Sequence, residues 1–174
     1  LTLADLAAVM PGRPYGIVLP KCGSADDLRR LDLYLDAFEA AAGQQVGATK
    51  ILAIATETAH SLFGLGGYRG ASTRLCGLMW GAEDLSASLG ASRNKEAGQY
   101  LGPFLLARNL CLAGAAAAGV DAVDTVYVDI EDLDGLREET LAARRDGFVA
   151  KAVIHPKHVD VVNAAFVPSE QEID

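Results

Sequence analysis

Carboxylates gather behind the apolar runs of this 174-residue chain. Residues 51–56 (ILAIAT) lead into Glu57 and Thr58, and residues 75–80 (LCGLMW) into Gly81, Ala82, Glu83 and Asp84. Residues 123–130 (VDTVYVDI) carry Asp129 near their end with Glu131 and Asp132 just beyond, and residues 149–154 (VAKAVI) run into His155 and Pro156. If these runs are parallel strands, the polar groups line the carboxyl edge of the sheet, where α/β proteins build active sites. Acids brought together from neighbouring strand ends repel one another unless a cation lies between them. One or two hard oxygen ligands, with water completing the shell, suit Mg2+. Glu57 and Asp84 are the candidate metal ligands. The competing explanation is that each merely caps the helix after it, because acids are favoured in first turns. Gly81 and Ala82 are small enough to let backbone N–H groups approach a ligand closely, although an ordinary tight turn also wants glycine.

Other polar groups carry less chemistry. Residues 64–70 (GLGGYRG) fail the G-x-G-x-x-G spacing of a dinucleotide site and are expected to form a flexible loop. His155 and His158 have helical spacing for a metal, yet no third ligand accompanies them. His60 lies close behind Glu57 and either reaches the same site or is a solvated helix residue. No G-x-S-x-G is present for a hydrolase nucleophile. Cys22, after Pro20 and Lys21, is expected to be a buried structural thiol, and Cys76 and Cys111 to pack as small apolar residues. Three scattered cysteines without a C-x-x-C suit reduced thiols in a cytoplasmic protein.

The elements that must position these groups follow from pattern. Residues 15–19 (YGIVL) add a fifth strand, and most of the five read as continuous apolar runs of the kind buried on both faces. Helices are expected over 2–10, over 25–42 behind the cap Ser24 with Asp27 as a near capping box, over 97–119 ending at Gly119, and over 133–145 ending in two arginines. Pro156 is placed to open another. Strand–helix alternation means βα units, in an open doubly wound sheet or a (β/α) barrel. Residues 1–174 read as one domain or part of one. Ser169 to Glu172 spell a capping box just before the chain stops, and a helix feeds the first strand. The chain is therefore expected to lack about three N-terminal βα units and a C-terminal helical piece.

Composition narrows the function. Hydrophobic residues make up 51% and charged ones 22%, which argues against disorder. A net charge of −8 with no run of Lys or Arg argues against nucleic acid as a partner. Arg108 and Asn109 interrupt the most apolar stretch, so it reads as a packed helix and no membrane association is expected. The first ten residues lack a basic region and do not read as a signal peptide.

Six segments then occur in order: LPK (19–21), ET (57–58), GAEDL (81–85), DTVYVD (124–129), GF-x-x-K-x-x-IHP (147–156) and N-x-x-F-x-PS-x-x-EI (163–173). Together they resemble the citrate lyase β-subunit-like branch of the HpcH/HpaI aldolase family, which includes malyl- and citramalyl-CoA lyases, over essentially the whole chain. The resemblance implies a (β/α)8 barrel of the phosphoenolpyruvate/pyruvate type, with this chain supplying strands four to eight. It implies Mg2+ held by Glu57 and Asp84, and a substrate site formed by Glu57, Gly81, Ala82 and Glu83, whose backbone amides would meet the carboxylate of a 2-oxoacid. The implied activity is retro-Claisen cleavage of a 3-hydroxyacyl-CoA (malyl-, citramalyl- or citryl-CoA) to acetyl-CoA and a 2-oxoacid, in a homotrimer or hexamer. A thioesterase on the same metal site, an aldolase acting without CoA, and a non-catalytic paralogue or assembly subunit are the alternatives. The family's substrate-binding Arg and a catalytic Asp fall outside these 174 residues, and His60 stands where many relatives carry Arg, so the chain alone is expected to be inactive.

Overall fold

Two apolar side chains tie down the start of the chain. In the computed structural model, which describes residues 3–168, helix α1 (Leu3–Val9) buries Leu6 and passes into a 3-10 turn that buries Met10. Then come β1 (Gly16–Leu19), α2 (Ala25–Ala41), β2 (Lys50–Ile54), the short α3 (Ala59–Leu62), β3 (Leu75–Met79), α4 (Glu83–Leu89), the two-residue strands β4 (Lys95–Glu96) and β5 (Gln99–Tyr100), and α5 (Gly102–Ala118). They form one compact unit, ending at Asp121. A second unit starts at Ala122, within β6 (Asp121–Asp124), and continues with α6 (Leu133–Asp146), β7 (Ala150–Lys151) and α7 (Lys157–Phe166). The expected Ser169 capping box lies outside the described residues.

In the first unit β2 runs between β1 and β3, parallel to both. Leu19 pairs with Ala53 and Ile54 with Met79, so the three strands end level. Everything that follows them therefore emerges at one edge. Leu28, Leu31 and Leu35 of α2, Ile51, Leu78, Trp80, Leu85 and Phe104 form the core. The strands are not buried on both faces as their apolar runs suggest: Val18 is half exposed between buried Ile17 and Leu19. An apolar run marks a strand but does not by itself say that both faces are covered.

At the opposite, amino-terminal edge, Arg74 is 1% exposed just before β3. Asp32, Asp36 and Glu39, spaced along one face of α2, all pair with its guanidinium. Glu39, fully buried, also accepts the N–H groups of Gly47 and Thr49. Burial alone would raise its carboxyl, yet Arg74, the Thr49 hydroxyl and these amides hold it down to about 2. This cluster pins the end of α2 to the strand starts.

The second unit pairs β6 with β7 in parallel and packs α6 on α7, with Leu136, Ala143, Val162 and Ala165 buried. Lys151 is buried between Asp124 and Glu139, 2.8 Å from each. The strand expected over 123–130 stops at Asp124. Beyond it, Asp129 Oδ1 accepts from the amides of Glu131 and Asp132, and Asp132 caps α6 through the Gly135 N–H. Such local side-chain bonds take backbone donors that a ladder would need. The strand expected over 149–154 likewise shrinks to Ala150–Lys151.

Candidate functional site

Three loops at the carboxyl edge of β1, β2 and β3 bring Glu57 and Asp84 together around Lys21. After β1, Pro20 leads to Lys21, which adopts a left-handed backbone with φ +50°. The next residue resumes sheet-like bonding, its Cys22 N–H donating to Ile54 O at 3.1 Å. This twist aims the Lys21 N–H at the Glu57 carboxylate, with Oε2 as acceptor. The Lys21 ammonium turns the other way and donates to Asp84 Oδ1 at 2.6 Å.

Neither acid caps a helix through its side chain. Thr58 caps α3, in a reciprocal box with Ser61, and Ala82, just before α4, offers that helix no side-chain cap. Asp84 does lie in the first turn of α4, where an acid suits the helix dipole, but its carboxylate bonds Lys21 and not the helix amides. The two acids are shifted in opposite directions. Burial raises the Glu57 carboxyl, and Asp84 beside it raises it further against the opposing Lys21 N–H. The Lys21 ammonium lowers Asp84. Two hard carboxylates gathered on one lysine, one of them made costly to ionise, are a donor set that suits Mg2+ with water in the other positions.

Gly81 has a different role from the one expected. Its N–H does not face outward but donates to Thr56 Oγ1 at 3.0 Å. A Cβ at Gly81 would come within 2.9 Å of Glu57 Cγ, so the glycine makes room for the carboxylate instead. Ala82 is buried, and the Glu83 side chain accepts from Asn94 Nδ2 at 2.6 Å. The amides of Ala82 and Glu83 lie at the start of α4, where first-turn N–H groups have no partner within the helix.

Asn94 belongs to a segment that the sequence pattern missed. The helix expected from residue 97 begins at Gly102, with Pro103 in its first turn. Ala97 (φ +48°) and Gly98 (φ +77°) instead form the turn between β4 and β5, where two left-handed residues match the strand twist. Tyr100 of this hairpin packs edge-on against Trp80, with centroids 4.9 Å apart, directly before Gly81. Pro103 was the available signal, since proline marks helix starts.

The remaining candidates stay outside the pair. His60 is exposed on α3. The rings of His155 and His158 are 6.3 Å apart, and neither ring nitrogen of buried His158 has a hydrogen-bond partner. Among the described residues no three His, Cys, Asp or Glu side chains group as a metal site. Within residues 64–70, expected to be a flexible loop, Leu65–Gly67 form a 3-10 turn, Leu65 and Tyr68 are buried, and the Tyr68 hydroxyl donates to Cys22 O at 3.3 Å. Cys22 and Cys111 are buried, but Cys76 is exposed, at variance with its expected packing, because it falls on the outward face of β3. Among the described residues no helix is long and apolar enough to cross a membrane.

Comparison with known proteins shows the family. The family model described as HpcH/HpaI aldolase/citrate lyase matches residues 1–156. Citrate lyase subunit beta of Escherichia coli K12 is 32% identical over 98% of this chain and 55% of its own length. The mitochondrial citramalyl-CoA lyase of Mus musculus is 31% identical over 99% of this chain and 52% of its own. The chain thus spans about half the length of these relatives. Among solved structures, RipC from Yersinia pestis superposes with a TM-score of 0.83 at 32% identity, covering 99% of this chain and 74% of that one. The CitE protein from Mycobacterium tuberculosis, crystallised with magnesium, acetoacetate and coenzyme A, superposes with a TM-score of 0.77 at 34% identity over 97% of this chain and 57% of that one. The α/β architecture with parallel strands is common to them, and this chain belongs to the HpcH/HpaI aldolase/citrate lyase family.

Proposed function

We propose that the chain carries the metal-binding part of a Mg2+-dependent acyl-CoA lyase. The reaction is cleavage of a C–C bond in a 3-hydroxyacyl-CoA of the malyl-, citramalyl- or citryl-CoA type, giving acetyl-CoA and a 2-oxoacid. One observation carries this reading: acids from the ends of successive parallel strands, neither of them a side-chain cap, meet around Lys21. The relatives add support. One is named citramalyl-CoA lyase, and CitE was crystallised with magnesium and pyruvate or acetoacetate.

Glu57 and Asp84 would hold the ion, which supplies Lewis-acid polarisation of a bound oxygen. Gly81 leaves Glu57 its space, and Thr56 fixes the turn by accepting the Gly81 N–H. The Ala82 and Glu83 amides at the start of α4 would donate to the carboxylate of the acid product. Tyr100, packed on Trp80, and Asn94, bonded to Glu83, brace that turn from the hairpin. We place the chain in strands four to eight of a (β/α)8 barrel of the phosphoenolpyruvate/pyruvate type, in keeping with the parallel strands and with the partial coverage of longer relatives.

The test is mass-spectrometric product analysis of the protein with malyl-, citramalyl- and citryl-CoA, with Mg2+ and with EDTA. Acetyl-CoA plus an oxoacid, lost with EDTA, is the expected result. Free CoA with an intact hydroxyacid would replace the lyase by a thioesterase. Absence of turnover of every ester would leave the CoA-independent aldolase or the non-catalytic paralogue. Asp84→Asn is expected to abolish Mg2+-dependent turnover with an unchanged circular dichroism spectrum.

A further inference from the structure

Lys21 touches both acids with different atoms, its main-chain N–H on Glu57 and its ammonium on Asp84. The two contacts differ in permanence. The first is fixed by the left-handed backbone at φ +50°, a conformation disfavoured for a side-chain-bearing residue and held by the β1 loop around it. The second joins side chains that are 57% and 50% exposed, and an ion pair so open to water is weak and readily exchanged. A divalent ion at the two carboxylates outbids a single ammonium for Asp84, and the two cations repel at that separation. The ammonium also has somewhere to go. Lys21 borders a cavity of about 280 Å³ that is lined as well by Pro20, Asp27, Arg30 and Tyr34.

Resting on the Mg2+ reading above, we propose that Lys21 is a resident counter-cation of the Glu57–Asp84 pair. It neutralises Asp84 while no metal is bound, and it yields that carboxylate to the entering ion and swings toward the neighbouring cavity. Lys21 is a positioning residue here, acting on the metal through Asp84. Its backbone contact to Glu57 persists through the exchange, so one ligand stays oriented while the other changes partner.

Isothermal titration of the full chain with Mg2+ tests the exchange, comparing wild type with Lys21→Met, Lys21→Arg, Glu57→Gln and Asp84→Asn. Removing the competing charge in Lys21→Met should tighten Mg2+ binding about five- to tenfold, whereas Lys21→Arg should bind as wild type does. A merely structural role predicts weaker binding in Lys21→Met. Unchanged or weaker binding there, with wild-type binding that depends on Glu57 and Asp84, overturns the exchange and leaves the metal site standing. No Mg2+ binding by wild type, or binding indifferent to both acid substitutions, overturns the metal reading and the exchange with it. Should Lys21→Met fail to fold, the side-chain NMR signal of Lys21 in the wild-type protein decides. It should shift as Mg2+ saturates, and a stationary signal overturns the exchange.

Discussion

Gly81 shows how narrowly the candidate site is drawn. A methyl group there would stand 2.9 Å from Glu57 Cγ and 3.4 Å from Ile54 Cγ2, so either the carboxylate or β2 must move. The carboxylate is the softer of the two. Gly81→Ala should therefore weaken Mg2+ binding about tenfold by turning Glu57 aside, while overpacking costs about 1–3 kcal/mol of stability. Titration calorimetry and a denaturant curve on the same variant separate the two effects. Glu57 and Asp84 were legible in the sequence because acids after apolar runs are a local signal. Lys21 was not, because its part depends on a left-handed backbone and on a partner 63 residues away. Nor was the engagement of the Gly81 amide by Thr56, which needs the register between β2 and β3.

At the scale of elements, strands and helices were legible where a cap or a breaker is local to the chain. Ser24 caps α2 as expected, although its hydroxyl accepts from Asp26 while Asp27 reaches back to the Gly23 N–H. Gly119 ends α5 in the left-handed conformation. The hairpin of β4 and β5 was hidden because Ala97 fills a left-handed position that usually signals itself with Asn, Asp or Gly. Arg74 was hidden too, since its partners lie 35–42 residues earlier. It has a measurable consequence. Arg74→Met would leave Glu39 buried without its cation, and breaking such a pair costs about 3–5 kcal/mol. Arg74→Lys keeps the charge but not the planar fork, and should fall between. The pH dependence has a definite sign. Glu39 is held near 2 in the folded chain against its ordinary 4.5, so it binds a proton more readily when unfolded. Its contribution is complete above pH 4.5 and is lost as the pH falls toward 2. Acid titrations followed by circular dichroism should show Arg74→Met unfolding at a higher pH than wild type.

Over the whole molecule the charge of −8 and the metal reading make competing predictions about salt. A chain with excess carboxylates gains stability from any screening electrolyte, whereas a two-carboxylate site responds to a divalent ion by mass action. At Mg2+ about a hundred times its dissociation constant, binding to the native state adds about 2.7 kcal/mol. For a chain of this length that is a rise in Tm of about 5–10 °C. Scanning calorimetry in MgCl2 and in KCl of matched ionic strength should show this rise with Mg2+ on top of the screening gain common to both salts. Glu57→Gln and Asp84→Asn should each remove it. Neither substitution changes the net charge by more than one unit, so a general screening effect would survive both. A rise that KCl reproduces, or that persists in both variants, would assign the response to the acidic surface and leave Glu57 and Asp84 without an ion to share.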